Sequence, residues 1–230
     1  MPPAARRAPD GASGHDVAPV RSVLVLIALV TALPEVVASL ADAGLIGSPR
    51  WRSLSYQYGA FWVGLLHGWQ PNFALQPVTM FLSYAVLHAG PGHLAGNLGG
   101  VLLLGPVVGR QVGAAGLIAI WIGSALGGAL GFGLLSISAA PMVGASGAVF
   151  GLAGAWVVQG WQRDRRTGRS RVEAARRVLG TLGLLVVVNL VSWVYEDGAL
   201  AWETHLGGTL AGAGLALAWA GRGRFSASGG

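Results

Sequence analysis

Residues 142–161 read MVGASGAVFGLAGAWVVQGW, an unbroken run from Met142 to Trp161 without a charged side chain. A helix needs about 20 apolar residues to cross the hydrocarbon core of a bilayer. This run has that length. Directly after it come Arg163, Arg165, Arg166, Arg169, Arg171, Arg176 and Arg177. Clustered arginines mark the cytoplasmic flank of a span. The stretch therefore reads as one membrane crossing that ends inside.

The same pattern recurs on either side. Val23 to Ala41 is a first span, interrupted only by Pro34 and Glu35. Val78 to Val108 is apolar but too long for one crossing, and Pro91 breaks it, so the second span lies beyond that proline. Gly113 to Leu135 is a third, the opening stretch the fourth, Val178 to Tyr195 a fifth and Thr204 to Ala220 a sixth. Six spans of about 20 residues take up about 120 residues, which leaves no room for a second folded domain. The fold class read from this is all-α: a six-helix membrane bundle over residues 22–221. A mobile cytoplasmic tail, 1–21, precedes it and a short tail, 222–230, follows. An outer segment, 42–76, carries Trp51, Tyr56, Tyr58, Phe61, Trp62 and Trp69, side chains suited to the membrane interface. It reads as packed beside the bundle in the outer leaflet. A basic cytoplasmic loop, 162–177, joins spans four and five.

Composition excludes the alternatives. Charged residues are 10% of the 230 and hydrophobic residues 53%, with a mean hydropathy of +0.59. An ordinary soluble domain carries about 25% charged residues, so no aqueous surface can be built here. The apolar excess also excludes disorder, and the 38 glycines have no period of three, which excludes collagen. There is no Cys, hence no disulfide, thiolate metal site or cysteine nucleophile. The net charge of +6 lies in short blocks between apolar runs, a poor pattern for nucleic acid.

All 15 basic residues are Arg, and they set the orientation. Arg6, Arg7, Arg21, Arg110, the seven of the fourth loop, Arg222 and Arg224 make 13 on one side, against Arg50 and Arg52 on the other. Both termini are therefore expected inside. The outer loop before the sixth span is acidic, with Glu196, Asp197 and Glu203. Ala41-Asp42-Ala43 resembles a signal-peptide cleavage site, and cleavage there would give a mature terminus near residue 44. The reading retains the first span.

Polar side chains inside apolar spans are default functional candidates because hydrocarbon penalises them. His93 and Asn97, four apart, share a face at the start of the second span. Ser146 opens the fourth within Gly144-Ala145-Ser146-Gly147, and His205 opens the sixth. At a rise of 1.5 Å per residue, Ser146 stands about 22 Å above the inner boundary, His205 about 24 Å and Asn97 about 20 Å, with His93 about 6 Å higher. All four fall in the outer third of a core about 30 Å thick. A Ser in a membrane helix commonly bonds its own backbone, and a lone His is often structural. Gly11-Ala12-Ser13-Gly14 repeats the four-letter string in the polar tail, so context, not the string, selects Ser146. Asn189 and Ser192 on the fifth span and Glu35 on the first are further polar residues without an assigned role.

These residues resemble the rhomboid family of intramembrane serine proteases. His88-Ala-Gly-Pro-Gly-His93-Leu-Ala-Gly-Asn97 is similar to the family's His-x4-His-x3-Asn signature. Gly144-Ala145-Ser146-Gly147 is similar to its nucleophile motif, and His205-Leu-Gly-Gly208-Thr-Leu-Ala-Gly212 to the His and Gly-x3-Gly pair of its last span. The six-span topology with both ends inside matches too. The resemblance implies Ser146 as nucleophile and His205 as general base, a dyad without Asp. It implies His93, the Asn97 amide and the Ser146 backbone N–H as oxyanion donors, and His88 as structural. Supporting positions are Gly144, Gly147, Phe150, Gly208 and Gly212. Thr79-Met80 stand where many members carry Trp-Arg, and Phe150 where many carry a Tyr that stacks on the base. Glycines at spacings of four, Gly147 and Gly151, Gly123, Gly127 and Gly131, and Gly208 and Gly212, allow close helix approach.

The implied activity is cleavage of transmembrane segments of single-span or multi-span membrane proteins near the outer face. No cofactor or metal and no nucleic-acid partner is expected; the bilayer is the medium. An inactive rhomboid-like protein that binds membrane clients is the alternative, although such relatives usually lack the Ser or the His. A small transporter would need polar residues through the full depth, and the inner two-thirds offers few. Abundant Arg, Ala and Gly without Lys point to a bacterial inner (plasma) membrane. Oligomeric state is not readable from the sequence.

Overall fold

The computed structural model describes residues 17–195 and 200–226. Arg6, Arg7, the Gly11–Gly14 string, Glu196 and Asp197 lie outside the described residues. So do the side chains of Ser192, Arg222 and Arg224. In chain order the helices are α1 Val17–Asp42, α2 Trp51–Gly59, α3 Gln76–Ser83, α4 Pro91–Leu135, α5 Ser146–Arg166, α6 Arg171–Tyr195 and α7 Trp202–Ser226. Short 3-10 turns occupy Val63–Leu66 and Tyr84–Val86. Among the described residues the extended structure is one isolated bridge, Phe61 with Met142.

Two helices, α1 and α4, are long and apolar enough to cross a membrane by length and composition, with mean hydropathies of 2.4 and 1.8. At 45 residues α4 is twice a span, and it breaks at Gly113. The backbone there has φ 71° and ψ −178°, a conformation open to glycine and strained for L side chains. The two limbs double back on each other. A Cβ placed on Gly109 would lie 2.5 Å from a Val20 methyl of α1 and 3.3 Å from Leu117 of the second limb. Pro91 sits in the first turn of α4, where a missing N–H costs nothing.

Neighbouring helices follow from small residues. Gly105 and Gly109 lie against Leu24 and Val20, so α1 runs antiparallel to the first limb of α4. Gly131 faces the Glu203 carbonyl, Gly123 faces Leu215 and Gly116 faces Trp219, so α7 runs antiparallel to the second limb. The start of α1 and the far part of α7 thus flank the Gly113 hinge at one end of the bundle. Gly208 abuts the Gly147 carbonyl and Gly212 the Gly151 carbonyl, which sets α5 and α7 parallel, backbone on backbone. Helix α6 packs chiefly on α5 and is the most open element; Leu179 is 67% and Leu190 59% exposed. Leu29 and Leu33 of α1 are similarly bare, a belt that suits hydrocarbon and not water.

Four boundaries differ from the sequence reading. Residues 17–21, assigned to the tail, are already helical, as are 222–226 at the other end. The basic loop 162–177 shrinks to 167–170, because α5 runs on to Arg166 and α6 starts at Arg171. Arginine is a good helix former, and Arg163, Arg165 and Arg166 in the last turn of α5 complement its dipole. The buried Asp164 carboxylate is ion-paired with Arg169 and Arg177 across this corner. Fourth-span residues 142–145 are not helical: Met142 is bridged to Phe61, and the chain from there leads into Ser146.

The outer segment is structured. Phe61 exchanges two backbone hydrogen bonds with Met142, each 3.0 Å. Its ring lies edge-on to Phe81, Tyr84 and Phe132. These contacts bury Phe61, Met80 and Tyr84 completely and tie the segment to α3, α4 and the approach to α5.

Candidate active site

Ser146 is the first residue of α5. The first four N–H groups of a helix have no intrahelical partner, and the dipole makes that end electropositive. The hydroxyl and its own backbone N–H therefore sit where developing negative charge is favoured. The approach to Ser146 is held from two sides: Met142 by Phe61, and the Gly144 N–H by the Tyr84 carbonyl at 3.0 Å. Gly144 has φ 122°, and a Cβ there would lie 2.6 Å from the His93 ring. Both conditions demand glycine, and together they let the imidazole lie against the backbone just before Ser146.

His205 opens α7. Phe150, one turn after Ser146 on α5, stacks flat on the His205 ring with centroids 4.0 Å apart and 5° between planes. The Gly147–Gly208 contact one turn below holds the two helices at the distance this stacking needs. The ring Nδ1 lies 2.6 Å from Asn189 Oδ1 on α6. His205 is 4% exposed.

On α4, the Ala89 N–H points to His93 Nδ1 at 3.4 Å. With Nδ1 accepting, a neutral ring carries its proton on Nε2, the edge nearer Gly144. Asn97 donates one amide hydrogen to the His93 carbonyl at 3.0 Å, which keeps the second hydrogen free. One cavity of about 500 Å³ collects His93, Asn97, Ser146, Phe150 and His205 on its wall. The wall continues with Gly96, Gly100 and the α6 side chains Leu185 and Val188. The structure thus brings together the four polar groups singled out by depth. A hydroxyl, an imidazole and amide donors around one apolar cavity can perform acyl transfer.

A model of the family described as Rhomboid domain matches residues 76–222. The chain belongs to the rhomboid family. It is also 29% identical over 107 residues to the Bacillus subtilis (strain 168) protein named "Putative rhomboid protease YdcA". That alignment covers 46% of this chain and 52% of the relative, so the match spans about half of each. The matched rhomboid region holds every residue of the cavity wall. Family and the apolar helices α1 and α4 together make this a membrane protein.

Helices α1 and α2 lie ahead of the rhomboid match and supply residues whose role is not legible along the chain. Arg52 of α2 holds Glu35 of α1 through both guanidinium Nη atoms, each 2.8 Å from a carboxylate oxygen, and Asp42 through Nε at 2.6 Å. The same guanidinium donates to the His88 carbonyl at 3.0 Å, and the Tyr56 hydroxyl donates to it at 2.7 Å. Hydrogen bonding to Glu35 raises the Arg52 pKa, so its charge is secure. Glu35, without a role in the sequence, is therefore the buried partner of Arg52. An arginine reaches the first signature histidine from 36 residues away, although Thr79-Met80 replace the nearer Trp-Arg. His88 itself is buried, and burial, with the His93 charge adding to it, pushes its pKa down to about 4. It stays a neutral packing ring, edge-on to His93 at 5.4 Å.

Glu35→Ala leaves Arg52 partly buried against Asp42 alone. Breaking a buried ion pair from one side costs up to 3–5 kcal/mol, and the remaining Asp42 contact and the partial exposure of Arg52 reduce this to about 2–3 kcal/mol. Thermal unfolding in detergent is expected to show that loss. Arg52→Lys should recover only part of it, because an ammonium cannot make the forked contact.

Proposed function

We propose that this rhomboid is an intramembrane serine endopeptidase that cuts transmembrane segments of other membrane proteins near the outer face. The observation that carries the reading is the cavity shared by Ser146, His205, His93 and Asn97, with His205 stacked on Phe150 one turn from Ser146.

In this mechanism Ser146 Oγ attacks the scissile carbonyl carbon while its proton passes to His205 Nε2. The carbonyl oxygen becomes an oxyanion, met by the Ser146 N–H, the Asn97 amide and His93 Nε2–H. Collapse breaks the C–N bond as the imidazolium returns the proton to the leaving amine. Water, deprotonated by His205, then attacks the acyl-enzyme ester and releases the carboxylic acid and Ser146. The reading includes six spans, two of them the limbs of α4, with both termini cytoplasmic in a bacterial inner membrane. The arginine distribution and the flanking of the Gly113 hinge by α1 and α7 support it.

A fluorophosphonate probe tests the site directly. Covalent labelling is expected on Ser146, detected by peptide mass, and is expected to vanish in His205→Ala. Labelling confined to another serine, or a protein that captures single-span substrates without either labelling or cutting them, would establish the client-binding alternative.

A further inference from the structure

Asn189 is a polar group in contact with the site that the dyad chemistry above does not use. It lies on α6, half-buried, and its Oδ1 is 2.6 Å from His205 Nδ1. Its Nδ2 donates to the Leu185 carbonyl at 2.9 Å, one turn back on the same helix. The second bond decides the first. A backbone carbonyl can only accept, so the end of the carboxamide facing Leu185 must be the NH₂. The end facing His205 is then the oxygen, which can only accept. His205 Nδ1 must therefore carry a hydrogen, and in the neutral imidazole the lone pair is on Nε2.

From this geometry we infer that Asn189 is the positioning residue of the dyad: it holds His205 in the Nδ1–H tautomer and orients Nε2 as the base. The inference rests on the protease reading above. Two restraints complement each other. Phe150 fixes the plane of the ring by stacking, at 4.0 Å and 5°. Stacking still permits a flip of about 180° around Cβ–Cγ, which keeps the plane and exchanges Nδ1 with Cδ2, and it does not distinguish the two nitrogens. The in-plane bond from Asn189 removes that freedom. A neutral amide performs this without placing a second charge in an apolar cavity, where an unpaired carboxylate is heavily penalised. The bond also joins α6, the most open helix, to α7, so it depends on α6 being seated against the cavity.

Across the cavity the titratable group facing His205 is His93 on α4. Among the described residues lining this cavity, α5 presents Ser146 and Phe150 and α6 presents Thr181, and Asn189 meets His205 from α6; none of these is ionised at neutral pH. The acid limb of the kcat profile therefore reports His205 with His93 as its one ionisable neighbour on that wall.

The test uses the full chain in proteoliposomes with a single-span substrate, comparing wild type, Asn189→Leu, Asn189→Asp and Ser146→Ala. Asn189→Leu keeps the branched four-atom side-chain shape and removes the acceptor. It is expected to lower kcat about 10²-fold, the range of a lost general-base contribution, with KM within about twofold. Its fluorophosphonate labelling should slow in parallel. Asn189→Asp restores an acceptor with a charge; it should recover activity at high pH and move the acid limb upward by about one pH unit or more. A merely structural asparagine predicts neither the split between kcat and KM nor the moved limb. Wild-type kcat and labelling in Asn189→Leu would overturn the inference. If Asn189→Leu fails to fold, an Asn189→Asp profile superimposable on wild type overturns it instead. Cleavage that survives Ser146→Ala would sink the protease reading, whereas Ser146-dependent cleavage indifferent to Asn189 sinks only the positioning role.

Discussion

Ser146→Ala, reconstituted with a single-span substrate, is expected to lose cleavage by more than about 10⁴-fold, and His205→Ala by a comparable factor. The two side chains act in one step. Without the hydroxyl there is no acyl-enzyme, and without the imidazole the hydroxyl keeps its proton at neutral pH. Their effects should therefore not add: the double variant should be no worse than either single one. The oxyanion donors remain in all three, so substrate capture should persist while product is absent from the gel. Ser13→Ala, which changes the other copy of the four-letter string, should leave the rate unchanged. Product formed at the normal rate by Ser146→Ala would remove the dyad assignment.

Gly208→Leu is the substitution with the largest expected effect on the fold. A Cβ at Gly208 would overlap the carbonyl oxygen of Gly147. That neighbour is backbone, which cannot rotate away, so α5 and α7 must separate. Overpacking of a tight core costs about 1–3 kcal/mol even where side chains can adjust, and a backbone clash exceeds that range. The separated pair is also the pair that carries Ser146 and His205, so activity should fall even in molecules that remain folded. Gly214→Leu on the same helix is the control, because no atom lies within 4 Å of a Cβ there. Circular dichroism melts in detergent should show a marked drop in Tm for Gly208→Leu and little change for Gly214→Leu. Equal melts for the two would mean that α5 and α7 are not in backbone contact.

Much of the site could be read along the chain because its signals are local. The cost of polar groups in hydrocarbon singles out His93, Asn97, Ser146 and His205, and the rise per residue puts them at one level. Phe150 follows Ser146 by four residues, hence by one helical turn on the same face, and its stacking on His205 needs only that α7 be adjacent. Asn189 emitted the same signal, a polar group within an apolar run, but nothing in its spacing to His205 names the partner. Glu35 was visible as a charge in a span, and Arg52 as one of two arginines on the minority side. Their pairing was not, since it depends on where α2 lies against α1. The helical reach of α5 through its arginines is not legible either, because charge marks where a span leaves the membrane and not where a helix stops.

Hydropathy, arginine asymmetry and glycine spacing are enough by themselves to indicate an apolar helical bundle and to nominate a serine, two histidines and an asparagine at matching depth. These are properties of transfer free energy and helical period, and both are written residue by residue. Only the tertiary structure decided that α4 reverses at Gly113, that Gly208 meets Gly147, that Arg52 reaches both Glu35 and the His88 carbonyl, and that Asn189 meets His205. Each of those depends on how helices cross. A crossing is set by the sum of many side-chain contacts between segments distant in the chain, and no single window of sequence contains that sum.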